Sequence, residues 1–262
     1  MIPGNPPPAS QDSYEGTPAP QAPRYVTVRQ PRITPWVTYT LMGLTILVYL
    51  LQLASKFALD GVDYPAAFGL KANDAILAGE LWRLFTPMFL HSTGSLLHIG
   101  FNMYALYAIG PVLEQHFGRW RFLALYLLGG FAGNVVSFVF SPKFSLGSST
   151  AIFGLIGAWG VFLFRNKELF GRNAQRGLIN IITVAAINLI IGLSPGIDNW
   201  GHVGGLVGGT LFAWFGGPLL GVEAEMGGLK LNDRREPVAA WTAAILVGLA
   251  FALLAAVKFF TG

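Results

Sequence analysis

One serine in this chain stands where a hydroxyl could act as a nucleophile. Ser149 lies in the segment SLGSSTAIFGLIG (145–157), two residues after Gly147 and just before an apolar helical pattern. Glycine permits unusual backbone angles, and the free N–H groups at a helix start can hold an anion. The position therefore suits a nucleophile that forms a negatively charged intermediate. It also suits a simple helix N-cap, because Ser and Thr are favoured cap residues.

Further polar residues lie within or at the head of apolar segments, where a charged side chain costs about 2.5 to 3.5 kcal/mol. Such residues usually face a protein interior or a water-filled cavity, which makes them candidates for function. The candidates are Ser149 together with His98, Asn102, Asn134, Asn188 and His202. For His91 and His116, in or beside loops, a solvated role is sufficient.

Seven apolar segments must position these side chains. Only 11% of the residues are charged and 53% are hydrophobic, and the mean hydropathy is +0.54. Each segment is near the roughly 20 residues that cross a bilayer, so we predict an all-α polytopic membrane protein. The predicted spans are 36–53, 96–113, 122–140, 151–164, 177–193, 203–220 and 238–260. The fourth is short, which fits a helix that begins below the membrane surface after a dipping loop.

The composition divides the chain into four regions. Residues 1–34 are rich in proline and lack an apolar run, so we predict a disordered tail. Residues 35–221 should form a core of six helices, 222–237 a cytoplasmic linker and 238–262 a seventh transmembrane helix. The absence of cysteine excludes disulfides, thiolate catalysis and zinc-thiolate sites.

Basic residues indicate the orientation of these spans. If the N-terminus is cytoplasmic, twelve of the seventeen Lys and Arg residues fall on the cytoplasmic side, as the positive-inside rule requires. The membrane orientation therefore accounts for the net charge of +4, and no nucleic-acid partner is expected. We predict a multi-pass protein of the cell membrane, with its N-terminus and its proline-rich tail in the cytoplasm.

Spans two, four and six run in the same direction, so their N-terminal ends share one side of the membrane. His98 and Asn102, Ser149, and His202 lie near those three ends. The topology can therefore bring a hydroxyl, an imidazole and two hydrogen-bond donors to a common depth. Asn134 and Asn188 are less well placed, and we expect them to bond between helices or to backbone.

Small residues offer a means of aligning spans four and six. In the segment NWGHVGGLVGG, Gly201, Gly205 and Gly209 recur every four residues and form one glycine face, which permits close helix approach. The fourth span offers a matching small surface at Gly154, Gly157 and Ala158. Generic helix packing would produce the same pattern. A tight contact between spans four and six would nevertheless carry His202 toward Ser149.

His98 and Asn102 are four residues apart and so share one face of a helix. Two donors aimed at one point can stabilise the oxyanion of a tetrahedral intermediate. A metal site is the competing interpretation. It lacks a carboxylate or a second histidine at ligand spacing, so no metal is expected.

Four motifs now stand in order: WR in the first outer loop, HIGFN in span two, GSS before span four, and GH followed by glycines in span six. Over residues 36–220 this pattern resembles the rhomboid family of intramembrane serine proteases. The resemblance implies a six-helix bundle, to which the last span adds a 6+1 arrangement. It also implies a dyad of Ser149 as nucleophile and His202 as general base. The implied oxyanion hole consists of His98, Asn102 and the backbone N–H of Ser149.

The resemblance extends to residues that support the dyad. Phe153 matches an aromatic that packs on the dyad imidazole, and Gly147 matches the first glycine of the family pattern Gly-x-Ser-Gly. Trp82 and Arg83 match a structural loop motif, although a membrane-surface anchor would also account for this amphipathic piece. Thr150 departs from the pattern, since glycine is usual there. A β-branched residue cannot take the backbone angles open to glycine, so we expect a narrower pocket or altered specificity.

The resemblance implies cleavage through an acyl-enzyme, with no cofactor and with transmembrane segments of other proteins in the bilayer as substrates. The nearest carboxylate to the dyad is Asp198, which we expect to be a solvated loop residue; an orienting role toward His202 is the alternative. Two other functions stay open. One is a catalytically silent rhomboid-like protein that binds client helices, and the other is a transporter, for which matching broken helices in two halves are not found. The sequence does not indicate an oligomeric state.

Overall fold

The computed structural model describes residues 28–29, 33–225 and 228–261 of the chain. These residues contain ten α-helices and three short strands. The tail predicted over 1–34 lies almost entirely outside these residues. The helices are α1 (Trp36–Ala58), α2 (Tyr64–Gly69), α3 (Asn73–Leu77), α4 (Leu96–Phe117), α5 (Arg119–Phe140), α6 (Ser149–Arg165), α7 (Lys167–Phe170), α8 (Arg172–Ile191), α9 (Asn199–Gly216) and α10 (Pro237–Thr261). The strands are β1 (Val28–Arg29), β2 (Leu220–Glu225) and β3 (Gly228–Asp233).

Each of the seven predicted spans corresponds to one long helix, namely α1, α4, α5, α6, α8, α9 and α10. By length and composition, α1, α4, α5, α8 and α10 could cross a membrane, whereas α6 is a shorter apolar helix. Large apolar side chains cover the outside of the bundle, where they can face lipid tails; examples are Leu47, Leu50, Ile182, Ile190, Leu246 and Leu249. The chain is therefore an all-α, multi-pass membrane protein.

Helices α5, α6 and α9 form the centre of the bundle, and glycine permits their close approach. A Cβ built on Gly209 would lie 2.0 Å from the carbonyl oxygen of Gly154, and one on Gly205 would lie 2.0 Å from that of Thr150. These matched contacts show that α6 and α9 run parallel. Helix α5 runs antiparallel to both, and α10 packs against α5 and α9. We call the end of the bundle where α4, α6 and α9 begin the site face.

The start of α1 is held by a residue of another helix. Pro35 occupies the N-cap position and makes no side-chain cap bond. The buried carboxylate of Glu114 in α4 instead accepts hydrogen bonds from the backbone N–H groups of Val37 (3.0 Å) and Thr38 (2.8 Å), and from the Thr38 hydroxyl (2.8 Å). A carboxylate near a helix N-terminus also interacts favourably with the helix dipole.

The loop between α1 and α4 is folded rather than extended. It contains α2, α3 and two 3₁₀ turns, Leu81–Leu84 and Thr86–Phe89. The guanidinium of Arg83 is buried, pairs with Glu80 and donates to the carbonyl oxygens of Leu70 and Ala67. Asn134 of α5 donates to the carbonyl oxygen of Leu84 at 3.0 Å. These bonds give Arg83 a structural role and fix the loop onto the bundle.

A small sheet lies at the end of the bundle opposite the site face. Strands β2 and β3 form an antiparallel hairpin, and β1 pairs parallel to β3, which gives the order β1-β3-β2. Asp233 fastens this hairpin, because its carboxylate accepts from Arg121 of α5 and from the backbone N–H of Leu219. Strands β2 and β3 thus occupy much of the region 222–237, for which a linker without strands was expected. Alternating apolar residues at 220, 222 and 224, and at 229 and 231, are the overlooked signal.

Candidate active site

Ser149 and His202 meet at the site face. Ser149 is the first residue of α6, and His202 lies in the first turn of α9. Its Nε2 atom is 3.0 Å from the Ser149 Oγ atom. The two helices begin at the same face and run parallel through the glycine contacts, so their first turns are brought together. A hydroxyl within hydrogen-bond reach of an imidazole is the geometry of an activated nucleophile.

The imidazole of His202 is fixed by an aromatic ring. Phe153, one turn after Ser149 on α6, stacks on it with ring centroids 4.3 Å apart and an interplanar angle of 11°. This contact limits rotation of the imidazole and keeps its Nε2 atom directed at the hydroxyl.

Gly147 brings the loop before α6 close to the hydroxyl. Its φ of +138° lies in a region that L side chains rarely adopt. A Cβ there would also lie 2.9 Å from the Nε2 atom of His98 and 3.6 Å from the Oγ atom of Ser149. Only glycine therefore allows the loop, the imidazole of His98 and the hydroxyl to converge.

His98 and Asn102 both border the same space. The backbone N–H of Ser92 donates to the Nδ1 atom of His98 at 3.4 Å, which places the ring proton of a neutral imidazole on Nε2. That Nε2–H is a donor beside Gly147. The side-chain amide of Asn102 donates one bond to the carbonyl oxygen of His98 at 2.8 Å, which leaves its second N–H for another acceptor.

A cavity of about 770 Å³ opens at these residues. Ser149, His202, His98 and Asn102 line its polar end. Apolar side chains of α4, α6 and α8 line the rest, among them Phe101, Ala105, Ile109, Ile156, Val184 and Ile191. Phe101 is 68% exposed, so the cavity reaches the lipid-facing surface of the bundle.

Thr150 fits into α6 without strain. The only described non-glycine residue with positive φ is Asp60, so the helical backbone of Thr150 does not need angles reserved for glycine. Its methyl group faces Gly133 of α5 and Gly201 of α9, where a Cβ would come within 2.9 and 3.0 Å of it. Two facing glycines thus make room for the branched side chain, and the expected narrower pocket or altered specificity stays a prediction.

His91 is a site residue that sequence reasoning missed. It is fully buried, its backbone exchanges hydrogen bonds with the side chain of Gln52, and its Nε2 atom is 3.2 Å from the Oγ atom of Ser148. Burial lowers the pKa of His91 to about 3, so the ring is neutral. His116 is half-buried, and its ring centroid lies 4.6 Å from that of Phe162. The expectation of a solvated role was wrong for His91. Position in or beside a loop gave no sign of this burial.

Asp198 also differs from expectation. It directly precedes α9, yet it makes no side-chain cap bond to that helix. Its Oδ2 atom accepts a hydrogen bond from the Ser137 hydroxyl of α5. Its Oδ1 atom is buried and has no hydrogen-bond partner among the described residues. The carboxylate is thus held inside the structure rather than solvated in a loop.

The remaining polar residues behave as predicted. Asn134 bonds to the loop backbone, as described above, and Asn188 donates to the carbonyl oxygen of Val184 on its own helix at 2.8 Å. Trp82 lies at the loop surface, where its indole N–H donates to the carbonyl oxygen of Phe68 at 3.1 Å.

The helical core of this chain is similar to known proteins. A family model described as the Rhomboid domain matches residues 78–219. Rhomboid protease GluP of Bacillus subtilis is 41% identical over 180 residues, which is 68% of this chain and 34% of that protein. Rhomboid protease AarA of Providencia stuartii is 30% identical over 201 residues, or 68% of this chain and 71% of that protein.

A plant protein, RHOMBOID-like protein 9 of Arabidopsis thaliana, is 38% identical over 160 residues, which cover 61% of this chain and 36% of the relative. The chain thus spans about a third of the length of GluP and of this plant relative. The residues matched by the family model, 78–219, include Ser149 and His202.

Proposed function

Because this chain belongs to the rhomboid family, we propose that it is an intramembrane serine endopeptidase that cleaves transmembrane segments of other membrane proteins. The single observation that carries the proposal is the 3.0 Å contact between the Ser149 Oγ atom and the His202 Nε2 atom. The named proteases among the relatives support it.

The first chemical step is attack by Ser149 on a peptide carbonyl. His202 takes the hydroxyl proton on Nε2 as the bond from Oγ to the carbonyl carbon forms. The same Nε2–H then protonates the leaving amine, which gives an acyl-enzyme. Water hydrolyses this ester in the second half of the reaction, with His202 again acting as the base.

The negative charge on the oxygen of the tetrahedral intermediate must be stabilised by hydrogen-bond donors. Three candidates border the space in front of Ser149: the Nε2–H of His98, the second amide N–H of Asn102 and the backbone N–H of Ser149 at the start of α6. Loss of one such donor typically lowers the rate about 100- to 1,000-fold.

The shape of the cavity suits a transmembrane substrate. Its apolar walls on α4 and α8 can receive apolar side chains, while its polar end presents the serine and the histidine. A helical substrate buries its carbonyls in hydrogen bonds, so it must unwind locally before attack. Segments with Gly or Pro near the site face should therefore be preferred. In the orientation proposed from the basic residues, this face is the outer side of the cell membrane.

The test is cleavage of a single-span substrate by the purified full chain in liposomes. Ser149→Ala and His202→Ala should each abolish product, whereas Ser194→Ala, at an exposed serine that does not line the cavity, should cleave like the wild type. Retained cleavage by Ser149→Ala would reject the proposal.

A fluorophosphonate probe separates the protease from a catalytically silent client-binding protein, because only an activated Ser149 should be labelled. The silent alternative rests on Thr150, which replaces the glycine usual in the family. An unlabelled but folded wild type would favour it.

A further inference from the structure

Asp198 and His202 each carry one buried polar atom without a partner. The Oδ1 atom of Asp198 and the Nδ1 atom of His202 have no hydrogen bond within the described part of the chain. Burial of an unpaired polar group is costly, and native structures usually satisfy such groups through protein or ordered water. Asp198 directly precedes α9, and His202 lies in the first turn of that helix, four residues later.

The two atoms are chemically complementary. If His202 is to accept the Ser149 proton on Nε2, the proton of its neutral ring must sit on Nδ1, which makes Nδ1–H a donor. The carboxylate oxygen Oδ1 of Asp198 is an acceptor. One water molecule can accept from Nδ1–H and donate to Oδ1, which satisfies both groups at once.

Asp198 is held in place for such a role. The hydroxyl of Ser137 on α5 donates to its Oδ2 atom, so the carboxylate cannot turn freely. It lies within electrostatic range of Lys71, a buried loop residue whose ammonium donates to the carbonyl oxygens of Ser141 and Lys143. Burial lowers the pKa of Lys71 to about 8, and the charge of Asp198 opposes that shift.

Solvent can reach this position from two sides. Ile197 and Asp198 line the 770 Å³ cavity and also a second cavity of about 300 Å³. The second cavity lies between the end of α5 and the segment that joins α8 to α9, where Phe140 stacks on Trp200. Its lining includes the polar side chains of Ser141, Lys143 and Asn199.

We propose that Asp198 is a positioning residue that orients His202 through one bridging water, so that the site works as a water-linked Asp-His-Ser triad. The inference rests on the proposed protease function and deepens it. As the serine proton moves to Nε2, the ring becomes an imidazolium whose Nδ1–H donates to the water, and the carboxylate stabilises the new charge without taking the proton. Asp198 therefore acts on the rate of acylation rather than on substrate binding.

The kinetic test compares Asp198→Asn and Asp198→Ala with the wild type in liposomes, on the substrate described above. Both variants should lower kcat about ten- to hundred-fold with KM unchanged, and should slow fluorophosphonate labelling equally. Asp198→Glu, which keeps the charge, should restore part of kcat. Ser137→Ala is the matched control, because it removes the bond between α5 and Asp198 but keeps the carboxylate. Its loss of kcat should be smaller than that of Asp198→Asn, even where its thermal midpoint falls as far.

Several results would overturn the inference. Wild-type kcat in Asp198→Asn would do so, as would equal losses of kcat in Asp198→Asn and Ser137→Ala that follow their losses of thermal stability. Should the Asp198 variants fail to fold, a high-resolution structure of the wild type decides: a water about 3 Å from both Oδ1 and Nδ1 supports the inference, and its absence from a well-ordered site rejects it. A wild type that neither cleaves nor labels would instead refute the proposed function.

Discussion

Gly205→Ala should separate the two helices that carry the serine and the histidine. A Cβ at this position would lie 2.0 Å from the carbonyl oxygen of Thr150 and 2.9 Å from its carbonyl carbon. Both are backbone atoms of α6, so no side-chain rotation can relieve the clash. Ordinary contact begins at 3.4 Å, so relief by helix separation alone needs 3.4 minus 2.0, or about 1.4 Å of movement.

That movement is large compared with the tolerance of the site. The Ser149 Oγ to His202 Nε2 distance is 3.0 Å, and hydrogen bonds are lost beyond about 3.5 Å. Misplacement of a reacting group by 1 Å can lower the rate about 100-fold, so kcat/KM should fall by about that factor or more. Overpacking should also lower stability by about 1 to 3 kcal/mol, against the roughly 1 kcal/mol that Ala normally gains over Gly in a helix.

The assay is cleavage of the single-span substrate in liposomes, together with the thermal midpoint in detergent. Gly43→Ala is the matched control, because Gly43 lies within α1 and a Cβ there would meet nothing within 4 Å. The control should keep full activity and an equal or higher midpoint. If Gly205→Ala matched this control in both measurements, the argument from close helix approach would be refuted.

Two further predictions concern residues around the site. Thr150→Val should raise the thermal midpoint, since the Thr150 Oγ1 atom is buried without a hydrogen-bond partner in the described structure and valine has nearly the same shape; a lower midpoint would show that the hydroxyl is bonded. Stability should rise with pH between about 8 and 10.5, because folded Lys71, with its pKa lowered to about 8, releases its proton while the unfolded chain, at 10.5, retains it. Thermal midpoints of Lys71→Gln should lack this contribution, and identical pH dependence in the variant and the wild type would contradict the assignment.

The helices were predictable because long apolar runs carry a strong signal. The fourth span was predicted from 151, and α6 begins two residues earlier at Ser149; α9 begins four residues before the predicted limit of 203. Apolar composition alone could not place these limits, since the polar first turn of α9, with Asn199 and His202, is stabilised by contacts inside the protein. The hairpin was missed because its strands are short and lie in a segment that resembles a linker.

The candidate site was predictable where motif and topology agreed, as for Ser149, His202, His98 and Phe153. The burial of His91 and Asp198 could not be predicted from the sequence, for a common reason. Their burial depends on partners distant in the chain, Gln52 and Ser148 for the former and Ser137 for the latter. The local sequence around each residue does not reveal these distant partners, so both residues were expected to be solvated.

The attachment of α1 has a consequence for the order of folding. The groups that need Glu114 lie 76 and 77 residues earlier in the chain, and Gln52, near the other end of α1, bonds to the backbone of His91, 39 residues later. During synthesis α1 enters the membrane before α4; the Gln52 attachment then needs only the loop that carries His91, whereas the Glu114 attachment needs α4. A ribosome-bound chain that stops before α4 should therefore hold α1 at its Gln52 end only, and the Glu114 end should attach later.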